Sequence, residues 1–194
     1  MSIRVYTAPG RDPFLGQDHM WDDMRVPVTS TKRGGSKDPD FSKFLDDGDG
    51  SQGVFAEAFD AATEEELYFS AQLPHTYQEG SDIEVHIHWA PSDSGSGNVV
   101  WGLEYAWKSI DGTYGNTTII EATLSSGGIA KKHLLGELSA AISGTGQKIS
   151  SMLVCRVFRK AADDADTYSS DAFLLEIDFH LKVNTLGSRQ EAVK

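Results

Sequence analysis

The sequence predicts an all-β protein, an antiparallel jelly-roll β-sandwich with an extended N-terminal arm. From Leu67 onward, apolar and polar residues alternate with period two in six segments, as they do in strands with one buried face. Polar turn clusters rich in Gly, Ser and Asp separate these segments. The strand–helix alternation of a parallel α/β fold is absent. Strands of this number favour a sandwich, and a jelly-roll is the natural member of that class.

Each predicted strand follows from this alternation. The first strand covers residues 67–73 and is stopped by Pro74, which cannot donate a ladder hydrogen bond. The other five cover residues 83–89, 99–107, 118–122, 149–159 and 173–183. One further stretch, KKHLLGELSAAISG, is compatible with a short helix that Gly136 weakens.

The first fifty residues differ from the rest of the chain in composition and in hydrophobic pattern. They contain four prolines, the pair Gly34-Gly35 and the acidic stretch DDGDG, with few periodic apolar positions. We therefore predict an extended arm over residues 1–50 and the sandwich over residues 51–194. The arm has no core of its own, so its aromatic residues are expected to dock onto another surface.

Composition restricts the class of function. The chain has 194 residues, with 17 Lys and Arg against 29 Asp and Glu, for a formal net charge of −12. A chain with this charge repels phosphate, so nucleic acid and anionic membranes are excluded as main partners. We expect neither a signal peptide nor a spanning helix. The single cysteine, Cys155, permits no intrachain disulfide and is expected to be a buried, unreactive thiol.

The strongest candidate for a chemically active site is the sequence HIHW. His86 and His88 leave the same face of a strand, about 7 Å apart by strand rise. The spacing from Gly80 to these histidines resembles the opening of the first cupin motif. The following carboxylate and the second cupin motif are missing, and His133 and His180 cannot be placed as a third ligand. We favour a structural pair of histidines over a metal site, and no cofactor is predicted.

Other catalytic signatures are missing from the sequence. It contains no GxSxG, no P-loop and no GxGxxG motif before a helix. The aromatic strand residues Trp89, Trp101, Tyr105 and Trp107 are candidates for a carbohydrate platform. Three of them share a face with Val99 and Leu103, which favours a sandwich core instead. The sequence therefore predicts a protein that is not an enzyme.

Four segments resemble a family of tailed-bacteriophage virion structural proteins. They are WDDMRVPVTSTKRG, LYFSAQLPHTYQEGSDIEVHIHWAP, NVVWGLEYAW and LEIDFHLKVNTLGSRQEAVK. The resemblance covers residues 20–193, and its most specific part is LPH-x-Y-x-E-G followed by H-x-HW. It implies a small β-sandwich that acts as a capsid decoration (cement) protein or as a head or tail fibre component. It brings no catalytic residues, and His75, His86, His88 and Trp89 belong to the pattern of the fold.

We therefore expect a virion structural protein, a phage capsid decoration protein that binds the major capsid protein lattice as a homotrimer and stabilises the head. Three-fold capsid positions suit a trimeric jelly-roll. Assembly in the host cytoplasm and a place on the outer surface of the capsid suit the free cysteine and the acidic charge. The aromatic side chains of the arm need a surface on which to pack, and its cationic side chains need acidic partners. The predicted partner-binding residues are Phe14, Trp21, Arg25, Lys32, Arg33 and Phe41.

Two alternatives stay open. One is a head or tail fibre or adhesin module that binds host glycan through exposed loops or aromatics. The other is a cupin-like metalloenzyme that uses His86 and His88.

Overall fold

A computed structural model of the chain describes residues 20–191 and 193. Eleven strands and one short 3₁₀ turn, Val28–Ser30, make up its regular structure. In chain order, the strands are β1 Met20–Pro27, β2 Lys32–Arg33, β3 Asp40–Leu45, β4 Val54–Phe59, β5 Glu65–Gln72, β6 Ile83–Pro91, β7 Asn98–Lys108, β8 Thr118–Ser125, β9 Leu134–Glu137, β10 Met152–Arg159 and β11 Ala172–Val183. All six strands expected from the alternation are confirmed.

The strands form two antiparallel sheets. The first sheet has the order β3-β4-β11-β6-β9, and β1 also pairs with β11. The second sheet has the order β2-β5-β10-β7-β8. Neighbours in each sheet come mostly from distant parts of the chain, which gives the predicted jelly-roll β-sandwich. Within the described residues, no helix is long and apolar enough to cross a membrane.

The core lies between the sheets and follows the alternation of the strands. In β6, Ile83, Val85, Ile87 and Trp89 are fully buried, while the residues between them are only half-buried. Trp89 packs edge-on against Trp101 of the opposite sheet, with ring centroids 6.3 Å apart. Burial of these side chains, at about 25 cal/mol per Å² of apolar surface, is the main source of stability.

The KKHLLGELSAAISG stretch forms strand β9 instead of a helix, which corrects the sequence prediction. β9 pairs with β6 along four residues, and a Cβ on Gly136 would lie 1.9 Å from the Leu124 side chain of β8. Tertiary pairing overrides helix propensity here, and the missing side chain at Gly136 leaves room for the Leu124 side chain between β8 and β9.

The predicted arm contributes to both sheets from Met20 onward. β1 pairs with the second half of β11 over eight residues, and β3 forms the edge of the same sheet. The chain crosses to the second sheet between them, where β2 pairs with β5. Residues 20–50 therefore obtain their order from the sandwich itself.

Candidate functional site

The outer surface of the first sheet carries a dense set of polar side chains. Alternation in β11 turns Ile177 and Phe179 into the core, so that Asp178 and His180 point outward. The registers of β1 and β6 against β11 place their own polar residues beside these two. We call the set the polar face; it comprises Trp21, Asp23, Arg25, His86, His88, Glu176, Asp178 and His180.

Asp178 is the centre of the polar face. Its carboxylate is buried and lies between the two strand histidines: Oδ2 is 2.8 Å from His88 Nε2, and Oδ1 is 3.0 Å from His86 Nδ1. The first contact has hydrogen-bond geometry, whereas the second is a close electrostatic contact only. A buried carboxylate needs such partners, because ionised groups are costly to remove from water. Both histidines therefore lie against the same buried carboxylate.

His133, in the loop before β9, extends this network. Its Nε2 lies 2.8 Å from His88 Nδ1, and the two rings stack at 5.0 Å. One proton lies between these two nitrogens, so one imidazole donates and the other accepts. Within the described residues, no group of three or more His, Cys, Asp or Glu side chains has an arrangement that holds a metal ion.

Trp21 presents an aromatic surface at the edge of the polar face. Its indole is parallel to the His180 imidazole, with an interplanar angle of 2° and ring centroids 4.6 Å apart. His180 Nδ1 lies 2.6 Å from Asp23 Oδ1, which fixes the imidazole, and the Lys182 ammonium lies 5.2 Å from the indole centroid. The indole remains 42% exposed, although His180 stacks on one of its faces and the Lys182 ammonium lies over the ring.

Arg25 and Glu176 form a two-pronged ion pair across β1 and β11. Arg25 Nη2 donates to Glu176 Oε2 at 2.5 Å, and Arg25 Nε donates to Oε1. The hydrogen bond from Arg25 lowers the pKa of Glu176, and the reciprocal hydrogen bond raises the pKa of Arg25. Both groups therefore stay charged at neutral pH, and their geometry is fixed.

A depression of about 480 Å³ opens among these groups. It is lined by Asp23, Arg25, His88, His133, Leu175, Glu176 and Asp178. Carboxylates supply acceptors, the guanidinium supplies donors, and the imidazoles supply both. A ligand in this depression meets hydrogen-bonding groups in several directions, and Trp21 lies two residues before Asp23 on the same face of β1.

A second concavity, which we call the edge groove, lies where β1 ends and β4 begins along β11. The last residue of β1 pairs with Glu176 and β4 pairs only up to Leu174, so Leu175 has no neighbour on that edge. The groove has a volume of about 870 Å³. Its walls include Val28, Lys32, Arg33, Phe41, Phe55 and Leu174.

The structure gathers four of the six predicted partner-binding residues in the edge groove, namely Arg25, Lys32, Arg33 and Phe41. Trp21 lies on the polar face instead, and Phe14 lies outside the described residues. The sequence argument did not identify Asp23 or Asp178, and it named His180 without placing it. Alternation in β11 carries a signal for the last two, but their closeness to β1 depends on a strand pairing that the pattern does not specify.

The other candidates from the sequence lie in the core. Trp89, Trp101 and Trp107 are buried and Tyr105 is half-buried, so these residues form part of the core and are not a carbohydrate platform. Cys155 is also buried, and burial raises the pKa of its thiol to about 12. The prediction of an unreactive thiol agrees with this environment.

No protein-family model matches the chain. No curated protein matches it either. Among solved structures, the chain is similar to a CBM35 from Cellvibrio japonicus, with 8% identity over 89% of this chain and 99% of that chain and a TM-score of 0.44. It is also similar to the CBM22-2 xylan-binding domain from Paenibacillus barcinonensis, with 12% identity over 81% and 93% of the two chains and a TM-score of 0.39.

A third similar structure is an insecticidal delta-endotoxin from Bacillus thuringiensis, with 13% identity over 67% of this chain and 20% of that chain and a TM-score of 0.36. At such identities and TM-scores, likeness concerns the β-sandwich fold alone and carries no argument about function. The resemblance to a tailed-phage virion family gains no support from these comparisons.

Proposed function

We propose that this domain is a non-catalytic glycan-binding module of the adhesin type, which holds a sugar ring on Trp21 and reads its hydroxyl groups from the adjacent depression. The observation that carries the proposal is the exposed, stacked indole of Trp21 on the same sheet face as a depression lined by charged and imidazole groups.

The indole matches one side of a sugar ring. A pyranose has a flat face of C–H groups, which packs on an aromatic plane, and an edge of hydroxyl groups, which must find hydrogen-bond partners. Trp21 loses little entropy on binding, because His180 already holds its ring in one plane.

The depression matches the hydroxyl edge. Each sugar hydroxyl donates one hydrogen bond and accepts others, so a recognising surface needs both kinds of group. Asp23 and Glu176 accept, Arg25 donates, and the His88–His133 pair does either. Polar groups placed in this way set the orientation and specificity of a ligand in a shallow site.

The same contacts favour binding over catalysis. Asp178 is engaged by two histidines, Asp23 by His180, and Glu176 by Arg25. Because the hydrogen bond from Arg25 lowers the pKa of Glu176, this carboxylate is a weak base, whereas a general acid or base must exchange a proton readily during turnover. This supports a binding module and not an enzyme.

The test is an array of immobilised neutral and acidic oligosaccharides, followed by calorimetry with the strongest array ligand. We expect the wild-type protein to bind and Trp21→Ala to lose about 2 kcal/mol of binding free energy, or about 30-fold in Kd, as for other aromatic anchors. Tyr114→Ala is the matched control, because Tyr114 is also exposed but hydrogen-bonds to Met152 of the second sheet.

The proposal is overturned if the array shows no bound oligosaccharide. It is also overturned if Trp21→Ala and Tyr114→Ala weaken binding equally. Circular dichroism of both variants confirms that the sandwich is intact in each case.

A second candidate function is capsid decoration, in which the domain sits on the outer surface of a phage head and contacts the major capsid protein. The gathering of Arg25, Lys32, Arg33 and Phe41 in one groove favours it, since a decoration protein needs a docking surface with apolar anchors. Immunogold labelling of intact particles tests this candidate. Labelled heads support it, and unlabelled particles exclude it.

A further inference from the structure

The β3–β4 hairpin exposes more apolar surface than a solvated edge needs. Of the fifteen large hydrophobic side chains that are exposed within the described residues, four lie on this hairpin. They are Phe41 at 59%, Leu45 at 49%, Val54 at 60% and Phe55 at 42%. Exposed apolar side chains gathered on one hairpin mark an interaction site in a soluble protein.

The base of the hairpin forms one wall of the edge groove. Phe41 and Phe55 stack there with ring centroids 5.5 Å apart. Across the groove, Arg33 of β2 pairs with Glu57 of β4 at 2.6 Å, and Lys32 has no ion pair within the described residues. In a chain of net charge −12, this apolar groove with an unpaired cation at its rim fits an acidic segment with apolar flanks.

The tip of the same hairpin is such a segment. Asp46, Asp47 and Asp49 lie in the exposed loop between the two strands, and Leu45 and Val54 flank it. Backbone N–H groups of the loop donate to the carboxylates of Asp46 and Asp47, which lowers the pKa of both. Lys43 pairs with Asp46 at 3.2 Å, and the three aspartates leave the tip with a net negative charge between two exposed apolar side chains.

We infer that the occupant of the edge groove is the hairpin tip of a second copy of this chain. Leu45 and Val54 of one copy pack on Phe41 and Phe55 of the other, and the tip carboxylates face Lys32. The contact goes beyond the proposed glycan site, which lies on the polar face. Its consequence is multivalency: linked copies bind a repeating glycan with higher avidity than one copy.

The experiment uses two variants of the full chain, one on each side of the contact. The groove variant is Lys32→Glu with Phe41→Ser. The tip variant is Asp49→Lys with Val54→Ser, which leaves the loop hydrogen bonds of Asp46 and Asp47 in place. Val154→Ser, at an exposed apolar residue of the second sheet, is the control.

Sedimentation velocity over a concentration series measures the association. We expect the wild type and the control to self-associate and each double variant to weaken association about tenfold or more. An equimolar mixture of the two double variants should associate again, because one copy keeps its tip and the other keeps its groove.

Three outcomes overturn the inference. They are a wild type that stays monomeric throughout the series, variants that associate as the wild type does, and a mixture that remains monomeric. None of them depends on glycan binding, so this contact and the proposed function fail separately.

Discussion

Asp166→Asn should destabilise the protein strongly, because it removes the countercharge of a fully buried arginine. Arg159 and Asp166 both have fully buried side chains and form two hydrogen bonds, at 2.8 and 3.0 Å. The remaining N–H groups of the guanidinium donate to the carbonyl oxygens of Phe59, Tyr168 and Ser170. Arg159 therefore ties the loop after β10 to the end of β4.

The magnitude follows from the burial. Breaking a buried ion pair by neutralising one partner costs about 3–5 kcal/mol, because the other charge is left uncompensated. For a domain of this size, each kcal/mol lowers Tm by about 2–4 °C, so we expect a fall of about 6–20 °C. Asparagine keeps the shape of the side chain, so the loss comes from the missing charge and one lost acceptor oxygen and not from a cavity.

Urea unfolding followed by tryptophan fluorescence is the assay. The control is Asp163→Asn, three residues away in the same loop, where a partly exposed carboxylate pairs with Lys160. We expect no measurable change for the control, since exposed pairs are screened by solvent. A loss below about 1 kcal/mol for Asp166→Asn, with an unchanged m-value, would refute the argument from burial.

Three further predictions concern single residues. Burial raises the pKa of Glu65 from 4.5 to about 6, so the wild-type free energy of unfolding should fall as pH rises through this range. Urea unfolding should show that Glu65→Gln gains stability relative to the wild type at neutral pH. A stability difference that does not change with pH contradicts this prediction. A Cβ on Gly144 would lie 1.8 Å from the Ser81 carbonyl oxygen, so Gly144→Ala should lower the free energy of unfolding by about 1–3 kcal/mol in thermal unfolding. Gly115→Ala is the control, because a Cβ there meets open space. Equal Tm values for the two variants refute the close approach of Gly144 to Ser81. Because burial raises the pKa of the Cys155 thiol, this residue should react with a thiol reagent at mildly alkaline pH only after the protein is unfolded in urea. Rapid reaction in the native protein contradicts the burial of Cys155.

The fold was largely predictable from the sequence because alternation is a local signal. In a half-buried strand, the apolar or polar character of each residue indicates which side of the sheet it faces. Strands β5 to β8, β10 and β11 could therefore be predicted from the pattern alone. The strands within the first fifty residues do not have this pattern. β1 contributes only Met24 and Val26 to the core side, and its position depends on the free edge of β11, whose paired residues are 149 to 163 positions away.

The candidate site was predictable only in part. His86 and His88 were recognisable as neighbours on one face, because two residues along a strand fix that relation. Asp178 and Trp21 join them through pairing between β1, β6 and β11, which a single sequence does not specify. Asp166 shows the same limit: its acidic loop predicts solvent exposure, yet the carboxylate is buried against Arg159.

The most direct test of the central claim is a nuclear magnetic resonance titration of the four tryptophan indole N–H groups with the strongest ligand from the oligosaccharide array. Trp89, Trp101 and Trp107 are buried and serve as internal references. The account predicts a saturable shift of the Trp21 resonance while the three reference resonances stay in place. A saturating ligand that leaves the Trp21 resonance unchanged contradicts it.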